Sequence, residues 1–238
     1  MQQPSRFIDI TLPLSDRLTV WPGDPPISIA REPGNPVVSR LSFGSHAGTH
    51  LDAPAHFLPG GATVEQLPLD GLIGPAWVAE VRGAAVITAA QLERARIPQG
   101  IERLLVRTDN SPSRREEAAA YAARPFNKKF VALDATAGGW LLARRIRLIG
   151  IDGPSIDPFG SPDHVVHNML LANKMIIVEN LALAGVQTGH SRLICLPLRY
   201  EGGDGAPVGA DAHGGLARAP HADPRRDAAE LHAASLGS

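Results

Sequence analysis

The sequence predicts a single α/β domain whose mixed β-sheet can curl into a barrel, flanked by helices. Three observations carry this. At 238 residues the chain is long enough for one full core. Short runs rich in Val, Ile and Leu alternate with helical candidates. No internal repeat or linker divides the first 200 residues, so strands and intercalated helices share one domain.

The strand-like runs are "RFIDITL" (6–12), "AWVAEV" (76–81), "RLLVRT" (103–108), "FVALD" (130–134), "RLIGID" (147–152), "MIIVEN" (175–180) and "RLICLPLRY" (192–200). Their length and β-branched content favour strands over helices. "TAAQLERAR" (88–96) opens on Thr88 as a cap, with Ile97-Pro98 behind it. "DATAGGWLLARR" (134–145) has Asp134 and Thr136 as cap candidates and two arginines at its end, which suit a helix C-terminus. "PDHVVHNMLLAN" (162–173) is the third helix. From about Gly202 the chain turns rich in Gly, Ala, Pro, Asp and Arg and poor in large apolar residues. Such a stretch cannot bury enough surface to offset its ordering entropy. The expected organisation is a domain over 1–209 and a low-complexity, disordered tail over 210–238, with a short helix near 224–235.

Lys+Arg 23 against Asp+Glu 24 gives a formal net charge of −1. Nothing in that balance favours nucleic acid or an anionic membrane as partner. The N-terminal residues lack the basic start and apolar core of a signal peptide, and no apolar run approaches the roughly 20 residues a membrane span needs. A single cysteine, Cys195, excludes an internal disulfide. A cytoplasmic location is expected, with Cys195 a buried strand thiol. His190 in "TGHSR" reads as a turn residue, and His213 falls in the tail.

"HAGTHLDAPAHF" (46–57) places His46, Gly48, His50, Asp52, Pro54 and His56 at alternate positions. A helix is unfavourable, because Ala-Gly-Thr is a weak centre and Pro54 stops continuation. A fully extended strand fails as well: ten residue steps cover roughly 33 Å, against metal bonds of about 2 Å. The segment must bend, with Gly48 and Pro54 as the bends, and converge His46, His50, Asp52 and His56 on one point. Imidazole and carboxylate donors suit Zn²⁺, and also Mn²⁺ or Fe²⁺. A carboxylate can bridge two ions, so Asp52 is able to serve a dinuclear centre. Further along, "DHVVHNMLLANKMIIVENLAL" (163–183) offers His164, His167 and Glu179. Spacing alone makes these a helix-surface histidine pair and a solvated strand-terminal glutamate.

These stretches resemble the kynurenine formamidase and putative-cyclase family of metal-dependent amide hydrolases over nearly all of residues 6–209. "HAGTHLDAPAHF" is similar to the family's His-x-x-x-His-x-Asp-x-Pro-x-His signature, and "VWPGDPP" (20–26) to its N-terminal segment. "GIDGPSIDPFG" (150–160), "VENLAL" (178–183) and "LPLRYEGGDGAP" (196–207) follow in the family's order. The resemblance implies a cyclase-like fold of swivelling β/β/α type and assembly as a dimer or tetramer. It implies His46, His50 and Asp52 on a first metal, Asp52 and Glu179 bridging to a second, and His167 completing that second site. It implies His56 as the proton donor and acceptor, and Trp21 as a substrate contact, with Phe57 a further candidate ring wall. His164 reads as a supporting or structural residue. The implied cofactor is Zn²⁺, two per subunit, with Mn²⁺ as alternative.

The implied reaction is hydrolysis of a small aryl formamide, N-formyl-L-kynurenine to L-kynurenine and formate in tryptophan degradation, by metal-activated hydroxide with His56 as proton shuttle. A cyclic amide such as isatin is the alternative substrate. A cupin-like non-hydrolytic metal protein is a distant one, since Asp52 stands where a cupin would have its second histidine. Gly153 stands where formamidases often have Thr, and "RTDNSPS" (107–113) is more similar to the broader cyclase group.

Overall fold

The computed structural model describes residues 6–111 and 124–214. In chain order the strands begin with β1 (Arg6–Asp9), β2 (Ser28–Glu32), β3 (Val38–Ser42) and β4 (His50–Asp52). There follow α1 (Leu69–Leu72), β5 (Ile73–Glu80), β6 (Val86–Ile87), α2 (Ala89–Arg94), β7 (Arg103–Arg107) and β8 (Ala132–Leu133). The described chain is completed by α3 (Ala135–Ala143), β9 (Leu148–Ile151), α4 (Val165–Ala172), β10 (Ile176–Glu179), β11 (Gly189–Pro197) and β12 (Gly205–Gly214).

The principal sheet runs β1-β12-β11-β5-β7-β9-β10-β4, and β4 also pairs with β12. Seven strands therefore close on themselves in a mixed barrel-like ring, with β1 added on β12. The stretch β5-β7-β9-β10 is parallel and every other pairing of this sheet is antiparallel. The expected α/β domain with a mixed, barrel-like sheet and flanking helices is what forms.

Side-chain alternation sorts each strand between two cores. Leu51, Val78, Leu105, Leu148, Val178, Leu193 and Cys195 fill the ring. Their neighbours Leu104, Val106, Ile149, Ile151 and Ile177 face outward and pack against Leu92 of α2, Trp140 and Leu141 of α3, and Val166 and Leu170 of α4. Leu105 is fully buried, and truncating it to alanine would cost about 2–5 kcal/mol.

Thr88 and Asp134 take the predicted cap positions, whereas Thr136 lies inside α3. Gln91 reaches back to accept from the Thr88 N–H at 2.6 Å, and Asp134 accepts from the Ala137 N–H at 3.0 Å. No described helix is long and apolar enough to cross a membrane.

Three expectations need correction. The ordered sheet does not stop at residue 209. β12 runs to Gly214 because Ala206, Val208, Ala210 and Ala212 alternate into the barrel, and their small size hides an ordinary period-two pattern. Residues beyond 214, including the expected helix near 224–235, lie outside the described residues. His213 belongs to this strand, buried and edge-on to Phe7 with ring centroids 3.5 Å apart. His190 is a β11 residue edge-on to Trp77 at 4.9 Å, rather than part of a turn. Composition gave no sign of β2 and β3, whose ten residues form an antiparallel hairpin with nine of them exposed.

Candidate metal centre

Gly48 (φ +67°) makes the first bend of the histidine segment, a backbone region that glycine enters without penalty. The chain then runs as β4. Alternation sends Leu51 into the barrel and sends His50 and Asp52 to the opposite, helix-bearing face. Pro54 starts a 3-10 turn over Pro54–His56 and makes the second bend. Antiparallel pairing sets Glu179 of β10 directly across from His50. His167 comes from the first turn of α4, whose Val166 and Leu170 anchor it on the sheet. His46 approaches from the turn before β4.

Asp52, Glu179, His50 and His167 are all buried, at 1%, 3%, 3% and 4% exposure. Four such groups together would be costly unless their charges were matched. Their inward atoms lie at matched separations. His50 Nε2 is 3.6 Å from Asp52 Oδ1 and 3.3 Å from Glu179 Oε2. His167 Nε2 is 3.3 Å from Asp52 Oδ2 and 3.3 Å from Glu179 Oε1. Each carboxylate thus presents one oxygen to His50 and the other to His167.

The outward nitrogens are committed elsewhere. His50 Nδ1 donates to the Gly48 carbonyl at 2.9 Å, which turns Nε2 inward toward Asp52 and Glu179. His167 Nδ1 lies 2.6 Å from Asp157 Oδ2, and Asp157 also accepts from the Val166 and His167 N–H groups at 3.0 Å each. His46 bridges two carboxylates, with Nδ1 2.8 Å from Asp52 Oδ1 and Nε2 3.0 Å from Asp204 Oδ2. Glu179 Oε1 accepts from the Ile156 N–H at 2.6 Å.

These contacts set the charges of the metal-free cluster. Burial alone would lower the His46 pKa, but hydrogen bonds to Asp204 and Asp52 push it up to about 10. Burial also opposes charge on His167, and Asp157, Asp52 and Glu179 together hold it well above the usual range. Burial would raise Asp52, yet His167 and His46 keep it well below the usual carboxylate range. Glu179 is likewise lowered by His167 and His50 against burial and the Asp52 charge. His56 differs: burial lowers it, so it stays neutral and able to accept a proton.

The cluster fits a divalent cation. Donors about 2.0–2.1 Å from a tetrahedral ion stand roughly 3.4 Å from one another, and the inward separations of 3.3–3.6 Å match that spacing. Asp52 Oδ2 is buried with no hydrogen-bond partner among the described residues. The outward acceptors on His46, His50 and His167 are the supports that metal-binding imidazoles usually carry. Mixed nitrogen and carboxylate donors suit zinc or manganese.

Above the cluster lies a cleft of about 260 Å³, lined by His46, His50, His56, His167, Glu179 and Trp21 among others. The structure therefore brings six of the seven singled-out residues to one wall, with Asp52 directly beneath. Trp21 meets Phe126 edge-on at 5.2 Å and Phe159 tilted at 5.3 Å. Phe57 stacks on His167 at 4.7 Å and meets His56 edge-on at 4.5 Å. His164 caps the start of α4 in the left-handed region (φ +41°) and faces the same cleft, 5.1 Å from Phe57. Sequence reasoning missed Asp157 and Asp204. A carboxylate ten residues before His167 and another in a glycine-rich turn follow no periodic pattern, although both lie in stretches that carry the family likeness.

A closed α/β barrel with a histidine–carboxylate centre at the outer edge of β4 and β10 defines the class of protein. The chain belongs to the cyclase family, described as "Putative cyclase", whose model matches residues 8–158. The kynurenine formamidase of Bacillus cereus is 36% identical over 211 residues, covering 87% of this chain and 96% of that relative. The kynurenine formamidase of Bacillus anthracis is 35% identical over the same shares. A solved structure described as a potential metal-dependent hydrolase with cyclase activity superposes with a TM-score of 0.74 at 29% identity, covering 88% of this chain and 98% of that one. An isatin hydrolase from Labrenzia aggregata shares the fold at a TM-score of 0.72 and 22% identity, over 88% of this chain and 93% of that one.

Proposed function

We propose that this chain hydrolyses the carbon–nitrogen bond of an aryl formamide, N-formyl-L-kynurenine being the preferred substrate and L-kynurenine and formate the products. The observation that carries this reading is the pair of buried carboxylates, Asp52 and Glu179, each spanning His50 and His167 beneath an aromatic-walled cleft. The kynurenine formamidase relatives support the substrate class.

In this reading His46, His50 and Asp52 would hold one divalent ion and His167 a second, with Asp52 and Glu179 able to serve both. Zinc is the expected ion and manganese the alternative. When bound, such ions supply Lewis acidity and bring the pKa of a water from about 15.7 toward 7. The chain's own residues do the rest. Trp21 and Phe57 offer aromatic faces and edges to the substrate ring. Water adds its oxygen to the formyl carbon, the carbon–nitrogen bond breaks, and the amine leaves with a proton. His56, neutral and at the cleft wall, accepts the proton of the water and delivers it to that nitrogen.

We read the working form as a cytoplasmic homo-oligomer, on the family resemblance and on the single cysteine, Cys195, which suits a reducing compartment. Residues 215–238 take no part in this reading, and a chain ended at Gly214 is expected to keep its turnover. The deciding experiment pairs metal analysis with assays on N-formylkynurenine and isatin. Turnover of the formamide by metal-loaded protein supports the proposal. Turnover of isatin alone replaces it with cyclic-amide hydrolysis, and full activity in a metal-free preparation ends it.

A further inference from the structure

Asp204 faces His46 and His56, and neither the motif nor the relatives' names give it a role. It sits in the turn joining β11 to β12, and its carbonyl accepts from the Ala53 N–H at 2.9 Å, just before the turn that carries His56. Gly203 and Gly205 flank it. A Cβ on Gly205 would lie 2.5 Å from His46 Cε1, so only glycine lets this turn close onto the imidazole. The Tyr200 hydroxyl donates to the Gly205 carbonyl at 2.7 Å and lies 3.4 Å from Asp204 Oδ1, which leaves Oδ2 aimed at the histidines. That one oxygen is 3.0 Å from His46 Nε2 and 3.5 Å from His56 Nδ1. The two rings are in contact, tilted by 32° with centroids 3.9 Å apart, and Phe57 meets His56 edge-on at 4.5 Å. The His56 ring thus packs against His46 and Phe57 with Nδ1 turned toward the carboxylate of Asp204.

We propose that Asp204 is the positioning residue of His56, accepting from Nδ1–H so that Nε2 is left bare toward the cleft for proton transfer. The present 3.5 Å is longer than a formed hydrogen bond, and such contacts commonly tighten only when a site is loaded. Asp204 acts through His56 and touches no reacting atom. A carboxylate behind a proton-transferring imidazole fixes its tautomer and orientation. The proposal rests on the reading of His56 as the group that serves the departing amine, and its test has an arm independent of that reading.

The test uses the full chain loaded with zinc, as parent and as Asp204→Asn, with nitrogen-15-labelled histidine observed by NMR. The parent is expected to show His56 as the single Nδ1–H tautomer, and Asp204→Asn, kept at saturating zinc because Asp204 also supports His46, to lose that preference. On N-formylkynurenine, Asp204→Asn is expected to lower kcat at least about tenfold with KM within about twofold. Asp204→Glu recovers part of the loss, and adding Asp204→Asn to His56→Ala costs little more. A parent His56 in the Nε2–H form, or a tautomer unchanged by Asp204→Asn, overturns the proposal. So does a loss of zinc in step with activity, which would make Asp204 a support of His46 alone. A zinc-loaded parent inactive on N-formylkynurenine defeats the proposed reaction instead, and the tautomer still decides the role of Asp204.

Discussion

Asp157 and His167 form a buried pair, Oδ2 and Nδ1 2.6 Å apart, and two backbone N–H groups of the α4 start complete the carboxylate's bonding. His167 is thereby turned so that Nε2 meets Asp52 and Glu179. Removing such a support commonly weakens metal binding by about 10–100-fold. Asp157→Ala is accordingly expected to lower zinc affinity by that factor while the barrel stays folded. Competition with a chelating dye, beside circular dichroism, measures both.

Asp52 and His56 separate binding from turnover. Asp52→Ala removes the carboxylate shared by His46, His50 and His167 and is expected to abolish metal loading. His56→Ala is expected to keep the metal and lose about 10²–10⁴ in kcat. Elemental analysis alongside formamide hydrolysis distinguishes the two, and His56→Ala protein without metal would reassign His56 as a ligand.

Without metal, the cluster makes stability fall as pH rises. His46 binds its proton more tightly in the folded chain, with a pKa of about 10 against 6.5 ordinarily, and His167 shifts the same way. Their contribution is complete below about 6.5 and is lost as pH climbs through the folded value. Burial also pushes the Cys195 thiol up to about 12, but that destabilises only above its ordinary 9. Thermal unfolding in chelator between pH 6.5 and 9 should show a declining Tm that His46→Asn flattens. Zinc uptake in the same range should release protons.

Gly153 tests the departure from formamidase sequences. A Cβ there would lie 2.6 Å from Asn110 Nδ2 and 3.1 Å from the Val131 carbonyl. Asn110 uses that space to pair with both backbone groups of Val131, at 2.8 Å each. Gly153→Thr is expected to break the pair and destabilise the protein by about 1–3 kcal/mol. Gly153→Thr with Asn110→Ala should recover part of it in urea unfolding.

The centre was more legible in the sequence than the sheet around it. Dense spacing betrayed His46, His50, Asp52 and His56, because a metal needs several donors within a few ångströms and a bent dozen residues can deliver them. His167 and Glu179 gave no such signal by themselves. Their approach depends on β10 lying beside β4, a pairing across more than 100 residues that only the family likeness suggested. Leucine- and isoleucine-rich strands announced themselves, whereas β4 is three residues long and two of those are polar. β12 is rich in alanine and glycine, so composition disguised the longest strand of the ring as a tail.

That disguised strand sets a timetable. β12 both shuts the ring against β4 and follows directly on Asp204, so the last partner of Asp52 is made more than 150 residues after Asp52 itself. Contacts so distant along the chain form late. A polypeptide emerging from the ribosome carries the whole histidine segment long before it can cage an ion, and cations captured meanwhile would meet an open half-shell that must still rearrange.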